Sequence, residues 1–230
     1  MRKAALFSLI VLALPPAAAA KPPVVVELYT AQGCASCGEA NAYVAKLAER
    51  KDVLALTFSV DYWDYLGWAD TFAKPEFAER QKAYVTRLSL REPYTPQVVV
   101  DGAAQASGAK TERVDKLVDE AARTPRDPPD IHFVGARVYV GSARPPKGGG
   151  EVWLIRFDPR AEDVVVKSGD NKGQTIAEKN VVREAIRLGA WRGKPVAFRL
   201  PAAGDEMLKT VVLVQAGKGG RVIGSGQPKA

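Results

Sequence analysis

The sequence predicts an α/β fold: an N-terminal domain built on a parallel strand–helix–strand unit with a helical insertion, then a smaller β-sandwich-like C-terminal domain. Three observations predict it. Two β-branched apolar runs, Val24–Tyr29 and Val53–Val60, flank a segment with helical spacing at Ala40, Tyr43, Val44, Leu47 and Ala48, and strands joined by such a crossover lie parallel. Thr124-Pro125-Arg126-Asp127-Pro128-Pro129 has the composition of a linker. Beyond it, Ile131–Val140, Glu151–Phe157, Asp163–Lys167, Pro195–Leu200 and Thr210–Gln215 are short β-rich runs separated by Gly- and Pro-rich turns, the pattern of a sandwich.

At the N-terminus, Arg2 and Lys3 precede the uncharged run Ala4–Leu14, the break Pro15-Pro16 and the small residues Ala17–Ala20. A membrane-spanning helix needs about 20 apolar residues, so the segment reads as a cleaved signal peptide over residues 1–20. The protein is then expected to be exported, periplasmic or secreted, without stable membrane insertion. The first domain covers 21–124, the linker 125–129, the β-rich domain 130–224 and a disordered tail 225–230. Within the first domain, residues 61–93 form an insertion with a helix opening at Pro75, a favoured first helical position. Phe77, Tyr84, Val85 and Leu88 face inward from it. Thr95-Pro96 then introduces a strand over Gln97–Val100, Asp101-Gly102 signals a turn, and a helix starts near Thr111. Val181–Leu188 reads as strand from its neighbours.

The net charge of +7 falls to +5 without Arg2 and Lys3. Basic and acidic residues are interspersed over both halves, so no stripe suited to nucleic acid exists. Only two cysteines occur, three residues apart. They close a local ring that constrains little of the unfolded chain, so their expected value is chemical.

Cys34 and Cys37 follow the first strand and precede its helix. A helix N-terminus carries roughly half a positive charge and free N–H groups, which favour a thiolate. Cys34, the more exposed of the two on this reading, is the expected nucleophile, and Cys37, one turn into the helix, resolves the mixed disulfide. Ser36 and Glu39 match a capping box, and the Glu39 charge opposes thiolate formation. The first strand ends at the cysteines and the second at Asp61. If the strand after Pro96 runs antiparallel, it begins at the same edge, where open α/β sheets place their sites.

This order of motifs resembles thioredoxin-like folds, and Val26-Glu27-Leu28-Tyr29-Thr30 resembles the glutaredoxin strand. The resemblance implies that Pro96 is cis and packs against the disulfide. More widely, Glu27-Leu28-Tyr29-Thr30, Gln32-Gly33-Cys34, Ser36-Cys37, Val60-Asp61-Tyr62-Trp63-Asp64, Tyr94-Thr95-Pro96-Gln97, Asn180-Val181-Val182-Arg183 and Leu188-Gly189 resemble an exported bacterial family catalogued as domain of unknown function 1223. Gly38-Glu39 stands where that family has a proline pair.

The remaining candidates divide between site and core. Tyr62 and Trp63 are equally suited to a substrate wall and to a structural plug, while Trp68 reads as structural. Asp61 and Glu27 are proton-relay candidates. A buried acid such as Glu27 must otherwise be compensated, and a place at a sheet edge or pairing with a base is its favoured fate. His132, the lone histidine, is a poor start for a zinc site. The leading function is thiol–disulfide exchange through Cys34, Cys37 and Pro96, with Thr95, Tyr62 and Trp63 meeting the substrate. Its partners would be protein or small-molecule thiols and disulfides, with no cofactor, metal or nucleic acid. The alternatives are a non-catalytic binding module with a local bridge and a copper(I) carrier, two thiolates being soft ligands.

Overall fold

All seven residues of the first strand, β1 (Val24–Thr30), are buried, which requires cover on both faces and strands on both edges. The computed structural model describes residues 21–228, so the segment 1–20 expected to be a signal peptide and the last two residues of the expected tail lie outside it. Helix α1 (Gly38–Leu47) carries the chain from β1 to β2 (Val53–Ser59), which pairs parallel to β1 from Val24↔Val53 to Thr30↔Ser59. On the other edge of β1 lies β3 (Gln97–Val100), antiparallel, followed by β4 (Ala104–Ser107). The turn between them needs Gly102. Its φ is +59°, and a Cβ there would sit 2.5 Å from the Gly220 carbonyl oxygen.

Helix α2 (Pro75–Arg87) has Pro75 in its first turn, and α3 (Thr111–Arg123) follows β4. They cover opposite faces. Ala40 and Val44 of α1 and Val114, Leu117 and Val118 of α3 pack with Val24, Val26 and Leu28. Phe77, Ala78 and Tyr84 of α2 pack with Val25, Tyr29, Leu56 and Phe58. Strand alternation divides β1 between the two cores.

The C-terminal half is built differently from the expected separate sandwich. Its strands β7 (Gly150–Val165), β8 (Thr175–Trp191), β10 (Lys209–Ala216) and β11 (Val222–Gly226) extend the same sheet, in the order β11-β10-β7-β8-β2-β1-β3-β4. The physical reason is the outer edge of β2, a row of unpaired backbone groups unless another strand covers it. Strand β8 does so in parallel at Thr57↔Val181. Thr57 Oγ1 donates to the Lys179 carbonyl at 2.7 Å and Asn180 Nδ2 to the Ala55 carbonyl at 2.8 Å.

Three further strands, β5 (Ile131–Val134), β6 (Arg137–Val140) and β9 (Val196–Arg199), form a small antiparallel sheet. Val138 and Val140 of that sheet pack against Val152, Leu154, Trp191, Val212 and Val214. Two sheets therefore do stack, but one of them is shared with the N-terminal half. The break expected after Phe157 is absent because Pro159 falls within a register shift between Asp158 and Ala161, a position where a missing N–H is tolerated. The expected tail also starts late: β11 runs to Gly226.

Glu27 sits in the middle of β1 and is 1% exposed. Arg80 of α2 donates to it through Nε at 2.7 Å and Nη2 at 2.8 Å, with Tyr29 and Tyr84 hydroxyls donating at 2.9 and 2.6 Å. Gln215 of β10 donates to the Tyr84 oxygen at 2.9 Å, so the network crosses from β1 through α2 to the C-terminal half. Removing one partner of a buried ion pair strands the other charge, at about 3–5 kcal/mol. Arg80→Ala should lose stability on that scale in urea titration. The Glu27→Leu/Arg80→Met double substitution should lose less than Arg80→Ala alone, and a larger loss in the double variant would refute this reading of the network.

Candidate functional site

The chain leaves β1 through Ala31-Gln32-Gly33 and turns twice before α1. Cys34 N–H donates to the Ala31 carbonyl at 3.1 Å, and Cys37 N–H to the Cys34 carbonyl at 3.1 Å. The second turn brings the Cα atoms of Cys34 and Cys37 to 5.4 Å, and the two are disulfide-bonded. Cys37 is the N-cap of α1, not a residue one turn inside it. No side chain caps the helix. The expected capping by Ser36 is replaced by an approach of its Oγ to 3.6 Å from Cys34 Sγ.

Cys34 was expected to be the exposed sulfur; both cysteines are 1% exposed. The loop after β2 packs nearby. Trp63 and Tyr62 pack against the core cluster that contains both cysteines, and the Trp63 Cβ lies 3.5 Å from where a Gly33 Cβ would be. Trp63 Nε1 donates to Thr95 Oγ1 at 2.7 Å, and the Tyr62 hydroxyl donates to Gln81 Oε1 at 3.2 Å. Burial pushes the Tyr62 hydroxyl up to about 12.

The Thr95–Pro96 peptide is cis, and Pro96 stands beside the start of α1. A Cβ on Gly108 would meet Ala40 Cβ at 2.7 Å and Pro96 Cβ at 3.1 Å. Cys34, Cys37, Trp63 and Thr95 thus gather at one end of the sheet, with Tyr62 and Pro96 beside them. Half-buried Asp61 precedes them and accepts the Asp64 N–H through its carbonyl at 3.0 Å. Glu27 does not join this group. Its carboxylate is taken up by Arg80 and two tyrosines, the second of the two fates expected for it; β1 is an interior strand, so the sheet-edge alternative does not occur. His132 lies on β5, stacked on Tyr139 at 5.1 Å between ring centroids.

Sequence reasoning missed the residue that anchors the cysteine loop, Gln32, which is fully buried. Its N–H donates to Asp70 Oδ2 at 2.7 Å, and its carbonyl accepts from Asn171 Nδ2 at 2.7 Å. Its side-chain oxygen accepts from Trp68 Nε1 at 2.9 Å and from Thr71 N–H at 3.2 Å. Asn171 belongs to the turn between β7 and β8, so the C-terminal half reaches the loop two residues before Cys34. In the sequence, Ser168-Gly169-Asp170-Asn171 reads only as a turn.

Glu178 of β8 was missed as well. It is 1% exposed, lies 3.5 Å from the Ser59 hydroxyl at the end of β2, and its Oε2 has no hydrogen-bond partner among the described residues. Burial first, and the Asp70 charge second, push its carboxyl up to about 8. Burial also raises Asp70, against the backbone N–H groups of Gln32, Phe72 and Ala73 that favour its anion. Two acids and two amides therefore lie buried behind the cysteine loop. No alternation signal marks Glu178, because its burial arises only from β8 lying beside β2.

The family model described as a protein of unknown function, DUF1223, matches residues 25–215. The chain is similar to the crystal structure of protein AGR_C_4864 from Agrobacterium tumefaciens, a structural-genomics target. The two are 29% identical with a TM-score of 0.72, over 90% of this chain and 95% of that one. It is also similar to HBP35 of Porphyromonas gingivalis, at 13% identity and a TM-score of 0.53, over 90% of this chain and 74% of that one. At that identity the likeness concerns the fold alone. No curated protein matches the chain.

Glu178 carries a pH signature. The folded protein holds its proton up to about pH 8, whereas the unfolded chain releases it near the ordinary carboxyl value. The folded state therefore binds more protons between those limits, and its stability falls as pH rises through them. At about 1.4 kcal/mol per pKa unit the effect amounts to several kcal/mol. Glu178→Gln should flatten the decline between pH 5 and pH 8 in urea titrations, and an unchanged slope would reject the assignment.

Proposed function

Because the chain belongs to that family of unknown function, its activity has to be argued from the site, and we propose that it is an exported thiol–disulfide oxidoreductase with a thioredoxin-like core. The carrying observation is a disulfide at the N-terminus of α1, gathered with Thr95 and Trp63 at one end of the sheet. The parallel β1–β2 pair, the antiparallel β3–β4 pair and helices α1 and α3 on one face support the thioredoxin-like reading. Export is supported by the leader chemistry of residues 1–20 and by a disulfide, which persists in oxidising compartments.

The chemistry balances as follows in the oxidising direction. A substrate thiolate attacks Cys34 Sγ, the Cys34–Cys37 bond breaks, and Cys37 leaves as a thiolate at the helix N-terminus, where N–H groups stabilise it. A second substrate thiolate attacks the substrate sulfur of the mixed disulfide and releases Cys34. Two electrons pass to the protein and the substrate leaves as a disulfide; the reductive direction reverses each step. Thr95 precedes β3, and its backbone enters no hydrogen bond among the described residues. It therefore offers an N–H and a carbonyl to an extended substrate, as in strand addition.

Both sulfurs are buried, and Trp63 and Tyr62 pack against the core cluster that contains them, so exchange requires that packing to open. The same burial favours a second reading, in which the bridge is a structural clip for the loop. Reduction under native conditions separates the two. Cys34→Ala should abolish exchange with a model dithiol while leaving the fold intact, and activity retained in that variant would end the proposal. Trp63→Ala should accelerate reduction of the disulfide by dithiothreitol several-fold, followed by thiol labelling over time. A disulfide reduced only at the rate of global unfolding, in both proteins, would establish the clip.

A further inference from the structure

At the end of the sheet away from the cysteines, three arginines from distant parts of the chain line one cleft of about 390 Å³, together with Pro125, Asp127 and Ile223. Arg126 comes from the proline-rich segment after α3, Arg144 from the Pro- and Gly-rich loop before β7, and Arg221 from the turn into β11. Arg126 is already engaged. Its side chain is 5% exposed and pairs with Asp101 at 3.2 Å. It also donates to the carbonyls of Pro22 and Pro23 at 3.3 and 3.4 Å.

The other two are not engaged in this way. Arg144 is exposed and Arg221 half-buried, and neither guanidinium forms an ion pair among the described residues. The Nε groups of Arg126 and Arg221 are buried without hydrogen-bond partners. Asp101 is 1% exposed, already accepts the Val25 N–H at 2.9 Å, and its single negative charge is shared between Arg126 and Arg221. Exposed Asp127 is the one acid among the residues that line the cleft itself. Unpaired cations brought together repel one another, and a fold gains nothing from that arrangement unless an anion joins it.

We infer that this cleft is a binding site for a small oxyanion-bearing molecule, a phosphate or a carboxylate, held by the guanidiniums of Arg144 and Arg221 over the charge-paired base of Arg126 and Asp101. Guanidinium forks match both oxyanions in two-point geometry. Pro125 and Ile223 give the cleft an apolar wall, which suits a ligand with a short hydrocarbon portion. The site is separate from the disulfide, so the inference stands or falls independently of the proposed redox activity.

The test is calorimetric titration of the purified full chain with inorganic phosphate and, separately, with succinate, against sodium chloride of matched ionic strength. Saturable one-to-one binding of either anion is expected, and the better ligand identifies the favoured oxyanion. Arg144→Gln should weaken it, and Arg144→Gln/Arg221→Gln should weaken it tenfold or more. Arg144 is exposed, so the single variant reports binding even if the double variant folds poorly. Cys34→Ala should bind as the parent does. Neither anion exceeding chloride, or undiminished binding in the Arg144→Gln and double variants, would overturn the inference.

Discussion

A carboxylate in the middle of a fully buried strand is the constraint around which this molecule is arranged. Glu27 cannot be ionised there without compensation, and β1 itself offers only the Tyr29 hydroxyl. The compensation comes from α2, whose Arg80 presents its guanidinium fork and whose Tyr84 adds a hydroxyl one turn later. Lysine would not substitute, since a single ammonium cannot make the paired contact. The position of α2 on its face of the sheet follows from this requirement as much as from Phe77 and Ala78. Through Tyr84 and Gln215 the same charge fixes where β10 can lie. One ionised side chain thereby ties the helical insertion and the C-terminal strands to the central strand.

A second polar centre, neutral in character, serves the other end of β1. Gln32 is held by its N–H, its carbonyl and its side chain at once, by Asp70 and Trp68 from the insertion and by Asn171 from the C-terminal half. Under the proposed function such fixing matters, because exchange chemistry depends on the angle at which a thiolate meets a disulfide. The insertion and the long β7–β8 ribbon, which look like decoration on the N-terminal half, therefore hold the loop that carries the disulfide.

The features legible in the sequence were the local ones. The C-x-x-C spacing between an apolar run and a helical period located Cys34 and Cys37. Pro75 marked the first turn of α2, and Thr95-Pro96 marked the strand that lies beside β1. What depended on distant partners was not legible. Glu178 looks like a solvent-facing residue of an ordinary strand until β8 is set beside β2, 119 residues away at Ser59. The run Glu151–Phe157 looked like a complete strand because a register shift cannot be read from one strand. Ser36 and Glu39 fitted a capping box, yet the cysteine turn drew Ser36 toward sulfur. The aromatic loop was legible as a neighbour of the cysteines, but the burial of both sulfurs was not, since it depends on packing from segments distant in the chain.

The join between β2 and β8 has a consequence for how the molecule is divided. Along most of the sheet, neighbouring strands share long ladders, with β7 and β8 paired from Gly150↔Trp191 to Val165↔Thr175. Between β2 and β8 the parallel ladder is the single pair Thr57↔Val181, stitched by side-chain contacts from Thr57, Asn180 and the Ser59–Glu178 pair. The prolines at 125–129 suggest a boundary in the chain, but the crease in the folded object runs elsewhere, down the middle of its largest sheet. Bending about that crease would tilt Asn171 and Glu178 as one leaf against the leaf that carries the sulfurs.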